Sequence, residues 1–517
     1  MKAETSGKNS DNKAFPSIAT SFVAGLCAAA CFAPLEYWWL MPFCLAILIH
    51  NWLHASARIA LLQGYAFGFG LYIAGVYWIF VLAHSFNNAP VFIATLILIV
   101  TALLLASYIA VIGYLQARVS CSTHTKIVLI CALWVLSEWL RGHIISTFPW
   151  LDLGYSQTTH WLSGYAPLGG VNLVSFALLY VSGHITVFCK VYDRNGWKKA
   201  LSEKGTLTAI IAPCLFGAGL NQINWSQATS NNISVAIVQA NIPIELKWDE
   251  QHLDSIVKKY YALTKDLDVD LAIWPETAIP SQLSRIRPDF WQKAKPQNGE
   301  LISGIAELHQ TGATMNAYNS AIFTCNNDMQ LYRKQQLVPF GEYLPYSSIT
   351  DPIAKHFEFN IDNYTSWEQQ QTLSCNNNNI SLSICFELAF SNLIRQRSGN
   401  AGILINISED AWTGNSTATY QRLQLAQMRA QELARPMLTS SNTGPSAIID
   451  HKGKILSISQ PFTEHILQND IHLRVKATPF QKAGSWINYV SIILISLIIA
   501  ISRRGKAHPE HLKDFGR

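Results

Sequence analysis

The sequence carries little charge for its length. Only 14% of its 517 residues are Asp, Glu, Lys or Arg, and 50% are hydrophobic, whereas a soluble globular protein usually carries roughly 25% charged residues. Residues 15–222 and 485–502 are apolar runs joined by short polar loops, while 223–484 has an ordinary soluble composition. The pattern predicts a membrane part and a separate domain long enough to bury its own core.

The sequence also lacks the signatures of several other protein classes. It has no Cys/His grouping with metal-ligand spacing and no Gly-rich phosphate loop, so neither a metal nor a cofactor is predicted. The net charge of +5 comes mainly from Lys and Arg in loops beside the apolar runs, which argues against nucleic-acid binding. The first apolar run has no Ala-x-Ala-like cleavage site and further runs follow at once, so an uncleaved first span is predicted.

Eight segments are apolar over about the 20 residues that a helix needs to cross a membrane. Basic residues are concentrated in the loops that the predicted topology places on the same side of the membrane as the N-terminus. The short loops on the opposite side hold only one basic residue, Arg141. By the positive-inside rule, the N-terminus 1–14 and the tail 503–517 are predicted to be cytoplasmic and 223–484 to lie outside. The predicted spans are roughly 15–33, 37–54, 58–82, 90–115, 126–141, 165–189 and 206–222, which make helices 1–7, and 485–502 as helix 8.

The outer segment 223–484 alternates apolar, β-branched runs with helical patterns. Asp249–Leu267 and Thr417–Ala434 have the spacing of helices. This alternation predicts a layered α/β domain. The predicted strands are Ile233–Ala240, Asp270–Trp274, Leu301–Ile305, Ser320–Cys325, Ile380–Phe386, Ile403–Ile407, Met437–Ser441 and Ser446–Ile449.

Reactive side chains follow three apolar strands, where open α/β sheets tend to form their sites. Glu276 follows a strand and a proline, Lys334 and Glu342 share one segment, and Cys385 ends a strand two residues before Glu387. Taken singly, Glu276 also fits a turn residue, Lys334 a solvated basic turn and Cys385 a small core side chain. A helix N-terminus and a nearby cation would lower the pKa of the Cys385 thiol and favour the thiolate.

The order of these motifs, WPET, then K…LVPFGE, then CFE, resembles the carbon–nitrogen hydrolase (nitrilase) superfamily, whose triad is Glu–Lys–Cys. The membrane segments Phe67–Trp78, Trp134–Gly142 and Phe148–Tyr155, together with Asn241–Trp248, are similar to the apolipoprotein N-acyltransferase family. The resemblance runs over nearly the whole chain. It implies a polytopic eight-helix transmembrane domain joined to a nitrilase-like α-β-β-α sandwich, with the sandwich on the periplasmic side of a bacterial inner membrane.

The resemblance also implies roles for individual residues. Glu276 would be the general base, Cys385 the nucleophile and Lys334 the stabiliser of the oxyanion. Phe386 would offer its backbone N–H to the oxyanion. Trp248 and Trp412 would lie on mobile arms over the site. The sequence departs from the family pattern at Phe386, usually Tyr, and at Glu409, usually Asn. The auxiliary and substrate-binding positions are Glu342, Phe386, Glu387, Trp248, Trp412 and Asn319.

The implied reaction moves a fatty acyl group from a membrane phospholipid, through a thioester on Cys385, to the N-terminal amine of a diacylglyceryl-cysteine apolipoprotein. The expected partners are therefore the phospholipid donor, the diacylated apolipoprotein and the bilayer. The nearest rival is a membrane-tethered nitrilase-type amidohydrolase that acts on a small amide. A transporter or sensor with an outer binding domain would need polar residues along the spans, and no such path is evident.

Of the ten cysteines, only Cys325, Cys375 and Cys385 lie in the predicted outer domain. In an oxidising compartment Cys325 and Cys375 could pair and leave Cys385 free; two separate thiols are the alternative.

Overall fold

The computed structural model describes residues 5–144, 147–247, 249–311, 314–326, 328–344, 348, 364–369 and 372–507. The chain divides into two compact units. One consists of residues 1–77, 95–223 and 483–517, and the other of residues 78–94 and 224–482. The segment 78–94, which the sequence predicts to end one span and begin the next, therefore belongs to the second unit.

The first unit is built from apolar helices, because a helix satisfies its backbone hydrogen bonds internally where no water is present. By length and composition, four described helices can cross a membrane, or up to five if the bent pair Ala57–Gly75 and Trp78–Phe86 is one span. Shorter apolar helices accompany them, and the count of eight spans stays a prediction. The long helices of the chain are Thr5–Ala29, Met41–Leu53, Ala57–Gly75, Val91–Arg118, Thr123–His143, Ala166–Ser202, Lys204–Leu220 and Trp486–Ala507.

The second unit contains two mixed β-sheets. The first has the strand order β13-β1-β2-β4-β5-β6, with β3 beside β4, and the second has the order β12-β11-β10-β9-β8-β7. Strands β1, β2 and β4 run parallel, as do β8, β9 and β10. The strands are β1 (Gln227–Gln239), β2 (Leu271–Ile273), β3 (Ile279–Gln282), β4 (Glu300–Thr311), β5 (Thr314–Cys325), β6 (Asp328–Arg333), β7 (Leu373–Cys375), β8 (Asn378–Ile384), β9 (Ile403–Ser408), β10 (Met437–Ser441), β11 (Ala447–Ile449), β12 (Ile455–Ile458) and β13 (His465–Val475).

The two sheets face each other across one apolar core, to which Ile237 of β1 and Ile384 of β8 contribute. Successive residues of a strand point to opposite faces, so Val238 of β1 packs instead into an outer core with helix residues such as Tyr260. The helices on the first sheet are Leu253–Thr264 and Pro288–Ala294, and those on the second are Ser391–Ser398 and Ala418–Leu433. This layering agrees with the predicted α-β-β-α sandwich.

Several predicted strands are longer in the structure, among them β1, which begins at Gln227 and not at Ile233. The predictions 301–305 and 320–325 lie within β4 and β5, which pair as a long antiparallel hairpin. The extensions were not predicted because they contain polar residues, which are uncommon in strands. Glu307 of β4 is one of them, and its carboxylate forms an ion pair of 2.6 Å with Arg333 at the end of β6. The predicted strand 380–386 ends earlier, at Ile384, so Cys385 begins a turn.

Cys325 at the end of β5 and Cys375 at the end of β7 form a disulfide. The bond therefore joins the two sheets of the sandwich. The sequence left open a disulfide between these cysteines or two separate thiols, and the structure has the disulfide. Cys385 is a free thiol, separated from Cys375 by the whole length of β8.

Candidate active site

The structure brings together the three reactive side chains that the sequence singles out. Glu276 follows β2, Lys334 follows β6 and Cys385 follows β8. Glu276 and Lys334 are buried, and Lys334 Nζ lies 3.6 Å from Glu276 Oε1. The charges of both residues act on the Cys385 thiol. A thiol, a carboxylate and an ammonium group that are distant along the chain thus form one cluster.

The Glu276 carboxylate is held by donors from two other strands. Asn319 Nδ2 on β5 donates to Oε1 at 2.7 Å, and the backbone N–H of Glu409, after β9, donates to Oε2 at 2.8 Å. The turn that carries Glu276 packs directly on Gly304 of β4, where an added Cβ would lie 2.6 Å from the Glu276 Cα. A side chain at Gly304 would therefore displace the carboxylate.

Lys334 is paired with a second carboxylate, that of Glu342. Its Nζ donates to Glu342 Oε1 at 2.8 Å, and Asn319 Nδ2 donates to the same oxygen at 2.8 Å. Asn319 therefore bridges Glu276 and Glu342. Burial alone would lower the pKa of Lys334, but the carboxylates of Glu342 and Glu276 raise it above its ordinary value. Lys334 consequently keeps its positive charge inside the protein.

Cys385 lies at a strained turn between β8 and a short 3₁₀-helix, Cys385–Ala389. Its φ of +53° is in the left-handed region, which costs a residue other than glycine roughly 1–3 kcal/mol. Asn406 Nδ2 of the neighbouring strand β9 donates to the Cys385 backbone oxygen at 3.3 Å. Such strain persists where surrounding contacts hold it, and it is often found where a side chain must be presented to a substrate.

Glu387 joins the turn of Cys385 to the segment of Lys334. Its Oε2 accepts the backbone N–H of Ile384 at 2.8 Å, and its Oε1 accepts that of Gln335 at 2.7 Å. Ile384 precedes Cys385 and Gln335 follows Lys334. Burial would raise the pKa of Glu387, but its ion pair with Arg397 at 2.8 Å and its other hydrogen bonds lower it. The ionised carboxylate thus acts as a clamp between the two reactive residues.

The expectation of a lowered thiol pKa is wrong. Burial raises the pKa of Cys385 well above its ordinary value, the Glu276 and Glu342 carboxylates raise it further, and Lys334 opposes them. The cation that would favour a thiolate is already balanced by two carboxylates. This environment favours the neutral thiol, which would need a base in order to act as a nucleophile.

The remaining predicted positions are partly described. Phe386 follows Cys385 and packs its ring against Phe390, with the ring centroids 5.3 Å apart. Trp412 lies in the turn Ala411–Thr413 after β9, and the centroid of its ring is 4.4 Å from the ring centroid of Phe86. Trp248 lies outside the described residues.

Sequence reasoning missed two contributions to this unit. Phe86 belongs to the segment 78–94, whose Trp78 Nε1 also donates to Gln421 Oε1 at 3.2 Å. The aromatic residues of this segment resemble interfacial anchors, so no sequence signal separated them from a span end. Lys247 was also missed, and its only sequence signal is its place directly before a predicted site tryptophan; its ammonium donates to the backbone oxygen of Glu276 at 3.1 Å.

The arrangement is suited to nucleophilic acyl chemistry. A neutral thiol, a carboxylate able to take its proton and a fixed ammonium group are the components of covalent catalysis with oxyanion stabilisation. Over the ranges that the structure describes, no group of three or more His, Cys, Asp and Glu side chains could hold a metal ion.

Comparison with known proteins agrees with this chemistry. Residues 24–184 match the family model described as apolipoprotein N-acyltransferase N-terminal domain, and residues 234–479 match that of carbon-nitrogen hydrolase. The chain is 32% identical over 510 residues to an apolipoprotein N-acyltransferase of Vibrio vulnificus, covering 95% of this chain and 97% of that one. It is similar to proteins of the same name from Chromobacterium violaceum (32% identity, 94% of each chain) and Coxiella burnetii (33% identity, 93% of this chain and 98% of that one).

Proposed function

This chain belongs to the apolipoprotein N-acyltransferase family, a family of bacterial membrane enzymes that N-acylate lipoproteins, and from that premise we propose how it does so. The acyl donor is a membrane phospholipid, the carrier is a thioester on Cys385, and the acceptor is the N-terminal amine of a diacylglyceryl-cysteine apolipoprotein. The observation that carries the proposal is the buried cluster of Glu276, Lys334 and Glu342 acting on the Cys385 thiol.

The first half-reaction forms the acyl-enzyme. Glu276 takes the thiol proton as Sγ of Cys385 attacks the ester carbonyl of the phospholipid. Negative charge develops on the carbonyl oxygen, and the Lys334 ammonium and the Phe386 N–H stabilise it. Glu276 then gives its proton to the departing glycerol oxygen, so that a lysophospholipid leaves and the thioester remains.

The second half-reaction transfers the acyl chain to nitrogen. The neutral α-amine of the acceptor attacks the thioester carbonyl and Glu276 accepts a proton from it, which returns to the departing Sγ. The amide product is much more stable than an ester or a thioester, so the transfer runs forward without ATP. Water is the competing nucleophile, and Trp248 and Trp412 are proposed as lids that exclude it.

Multi-pass insertion with the catalytic unit on the periplasmic side of the inner membrane is part of the same proposal. The eight spans are supported by the shorter apolar helices Ala14–Ala29, Trp38–Leu53 and Lys204–Leu220, which accompany the longer ones. The proposed division of the chain rests on the apolar runs and the basic loops. It consists of a cytoplasmic N-terminus (1–14), helices 1–7 (15–222), the periplasmic catalytic domain (223–484), helix 8 (485–502) and a cytoplasmic tail (503–517). The Cys325–Cys375 disulfide supports an oxidising side for 223–484, because disulfides persist in the periplasm and are rare in the cytosol.

An in vitro transfer assay tests the proposed function against its rival. Purified protein in phospholipid-containing micelles should add one acyl chain to the N-terminal amine of a synthetic diacylated lipopeptide, observed by mass spectrometry. A lipopeptide with a blocked N-terminal amine is the matched control and should stay unchanged. Turnover of small amides without any lipid, and no transfer to the lipopeptide, would instead identify the amidohydrolase that family membership does not favour.

The disulfide gives a second prediction. Replacing Cys325 and Cys375 together by Ser should lower the unfolding free energy of the catalytic unit by about 2–4 kcal/mol, because the bond closes a long loop of the unfolded chain. Activity at low temperature should persist, because the disulfide lies at the far end of β8 from Cys385. The measurements are the unfolding temperature of the variant and maleimide labelling of wild-type membranes, mapped to individual cysteines: Cys325 and Cys375 should react only after reduction. Labelling of either of these two residues without reductant would contradict the proposed orientation.

A further inference from the structure

A buried ion pair that has no part in the proposed reaction lies beside Glu276. Lys247, which ends the short helix Ile244–Lys247, is 1% exposed, and its ammonium pairs with the Glu409 carboxylate, which is 3% exposed. Lys247 Nζ also donates to the backbone oxygen of Glu276 at 3.1 Å. The backbone N–H of Glu409 donates to Glu276 Oε2 at 2.8 Å. Both members of the pair therefore bind the residue proposed as the general base.

Other hydrogen bonds fix the Glu409 carboxylate in place. Asn442 Nδ2 donates to its Oε2 at 3.0 Å, and the backbone N–H of Ala411 donates to its Oε1 at 3.2 Å. Ala411 begins the turn that carries Trp412. A buried ion pair is stabilised only when its geometry is good and its remaining lone pairs are used, and Glu409 meets both conditions.

We propose that Lys247 and Glu409 are positioning residues that orient the Glu276 carboxylate while leaving the net charge around it unchanged. The proposal rests on the proposed function, in which Glu276 is the base. Lys247 holds the main chain of Glu276, and Glu409 holds one of its carboxylate oxygens. The same pair ties the chain segment before Trp248 to the turn of Trp412. The base is thus held by the two segments on which the proposed lids lie.

The opposite charges of the pair make the proposal testable by pH. The other charged groups near Glu276 stay the same in every variant, so a change of one pair member alters one charge only. Removing Lys247 leaves a carboxylate beside Glu276, and like charges raise a carboxyl pKa. Removing the charge of Glu409 leaves an ammonium group there, which lowers it. The other charged and titratable groups around Glu276 and the pair are Lys334, Glu342, Cys385, Tyr260, Asp410 and Arg422.

The experiment measures thioester formation with phospholipid alone, as a function of pH, in the full-length protein. Lys247→Met should move the acidic limb of the profile up by about 1 pH unit, and Glu409→Gln should move it down by a similar amount. The double variant should return the limb to the wild-type position, because both charges are then absent. Glu409→Gln keeps the backbone N–H that binds Glu276, so this variant isolates charge from geometry.

Lys295→Met is the matched control, because it removes another ion pair of the same unit, with Glu300, away from the site. It should leave the limb in place. The positioning role would be overturned if the acidic limbs of the two single variants shifted in the same direction. It would also be overturned if neither limb shifted while both variants kept the wild-type unfolding temperature. A wild-type protein that forms no thioester would instead overturn the proposed function, so the two failures are distinguishable.

Discussion

Incubation of the purified protein with phospholipid alone is expected to leave one acyl chain on Cys385 as a thioester. Cys385→Ala should abolish this adduct and reduce acyl transfer by roughly 10⁴-fold or more, the scale of losses when a catalytic nucleophile is removed. The physical reason is that no other described cysteine lies beside Glu276 and Lys334, whose charges act on the Cys385 thiol. Intact-mass spectrometry, with cleavage by neutral hydroxylamine, identifies the thioester.

A matched variant separates this effect from general loss of thiols. Cys189 is an exposed free cysteine of the first unit, and Cys189→Ala should keep both the adduct and the transfer. Cys385→Ser keeps the shape of the side chain but supplies a hydroxyl group, which is a much weaker nucleophile at this site. An acyl chain that remains in Cys385→Ala, or that maps to a serine of the wild-type protein, would contradict the scheme.

Glu276 and Cys385 could be predicted because each follows an apolar strand. A buried strand is recognisable from a short run of β-branched residues, and the end of such a strand is where a sheet presents side chains to a ligand. This reasoning located Glu276 and Cys385. Lys334 follows the strand Asp328–Arg333, which has no β-branched residue and was not predicted. Its role came from the resemblance that the order of the three motifs indicates.

The contacts of these residues could not be predicted, because they depend on long-range packing. The resemblance names Asn319 as a site position, but only the pairing of β4, β5 and β6 brings it between Glu276 and Glu342. Arg397 lies on a helix, and nothing in its sequence neighbourhood indicates a contact with Glu387. Such pairs become visible only when the two sheets are in place.

The direction of the thiol pKa was wrong for a related reason. The sequence indicates a helix start after Cys385, and the resemblance places a lysine beside it, but neither shows how deeply the thiol is buried or how many carboxylates surround it. In the structure, burial and the carboxylates of Glu276 and Glu342 outweigh Lys334. A neutral thiol needs a base when it attacks, which is the role that the resemblance implies for Glu276.

Glu276→Gln is accordingly expected to reduce thioester formation by about 10²- to 10⁴-fold at neutral pH, the range attributed to general acid–base catalysis. Gln keeps the size of the side chain and can still accept the Glu409 N–H, but it cannot take a proton. Glu300→Gln is the matched control, since it removes a carboxylate from the same sheet at the ion pair with Lys295. It should leave the rate unchanged.

The role of Glu276 as the base also predicts how the rate of thioester formation changes with pH. Glu276 must be ionised to accept the thiol proton, and burial raises the pKa of its carboxyl. The wild-type rate should therefore fall as the pH drops through a value above the ordinary range of a glutamate and level off above that value, whereas the rate of Glu276→Gln should not level off near neutrality. Omitting the acceptor keeps its α-amine, with a reference pKa near 8, out of the profile.

At alkaline pH the variant should partly recover. Raising the pH increases the thiolate fraction of Cys385 directly, so the residual rate of Glu276→Gln should climb about tenfold per pH unit while the thiol is mostly protonated. Wild type should show no such climb near neutrality, because its base already accepts the proton. A rate of Glu276→Gln that levels off at the same pH as the wild type would assign the proton transfer to another group, with Glu342 the nearest carboxylate on Lys334.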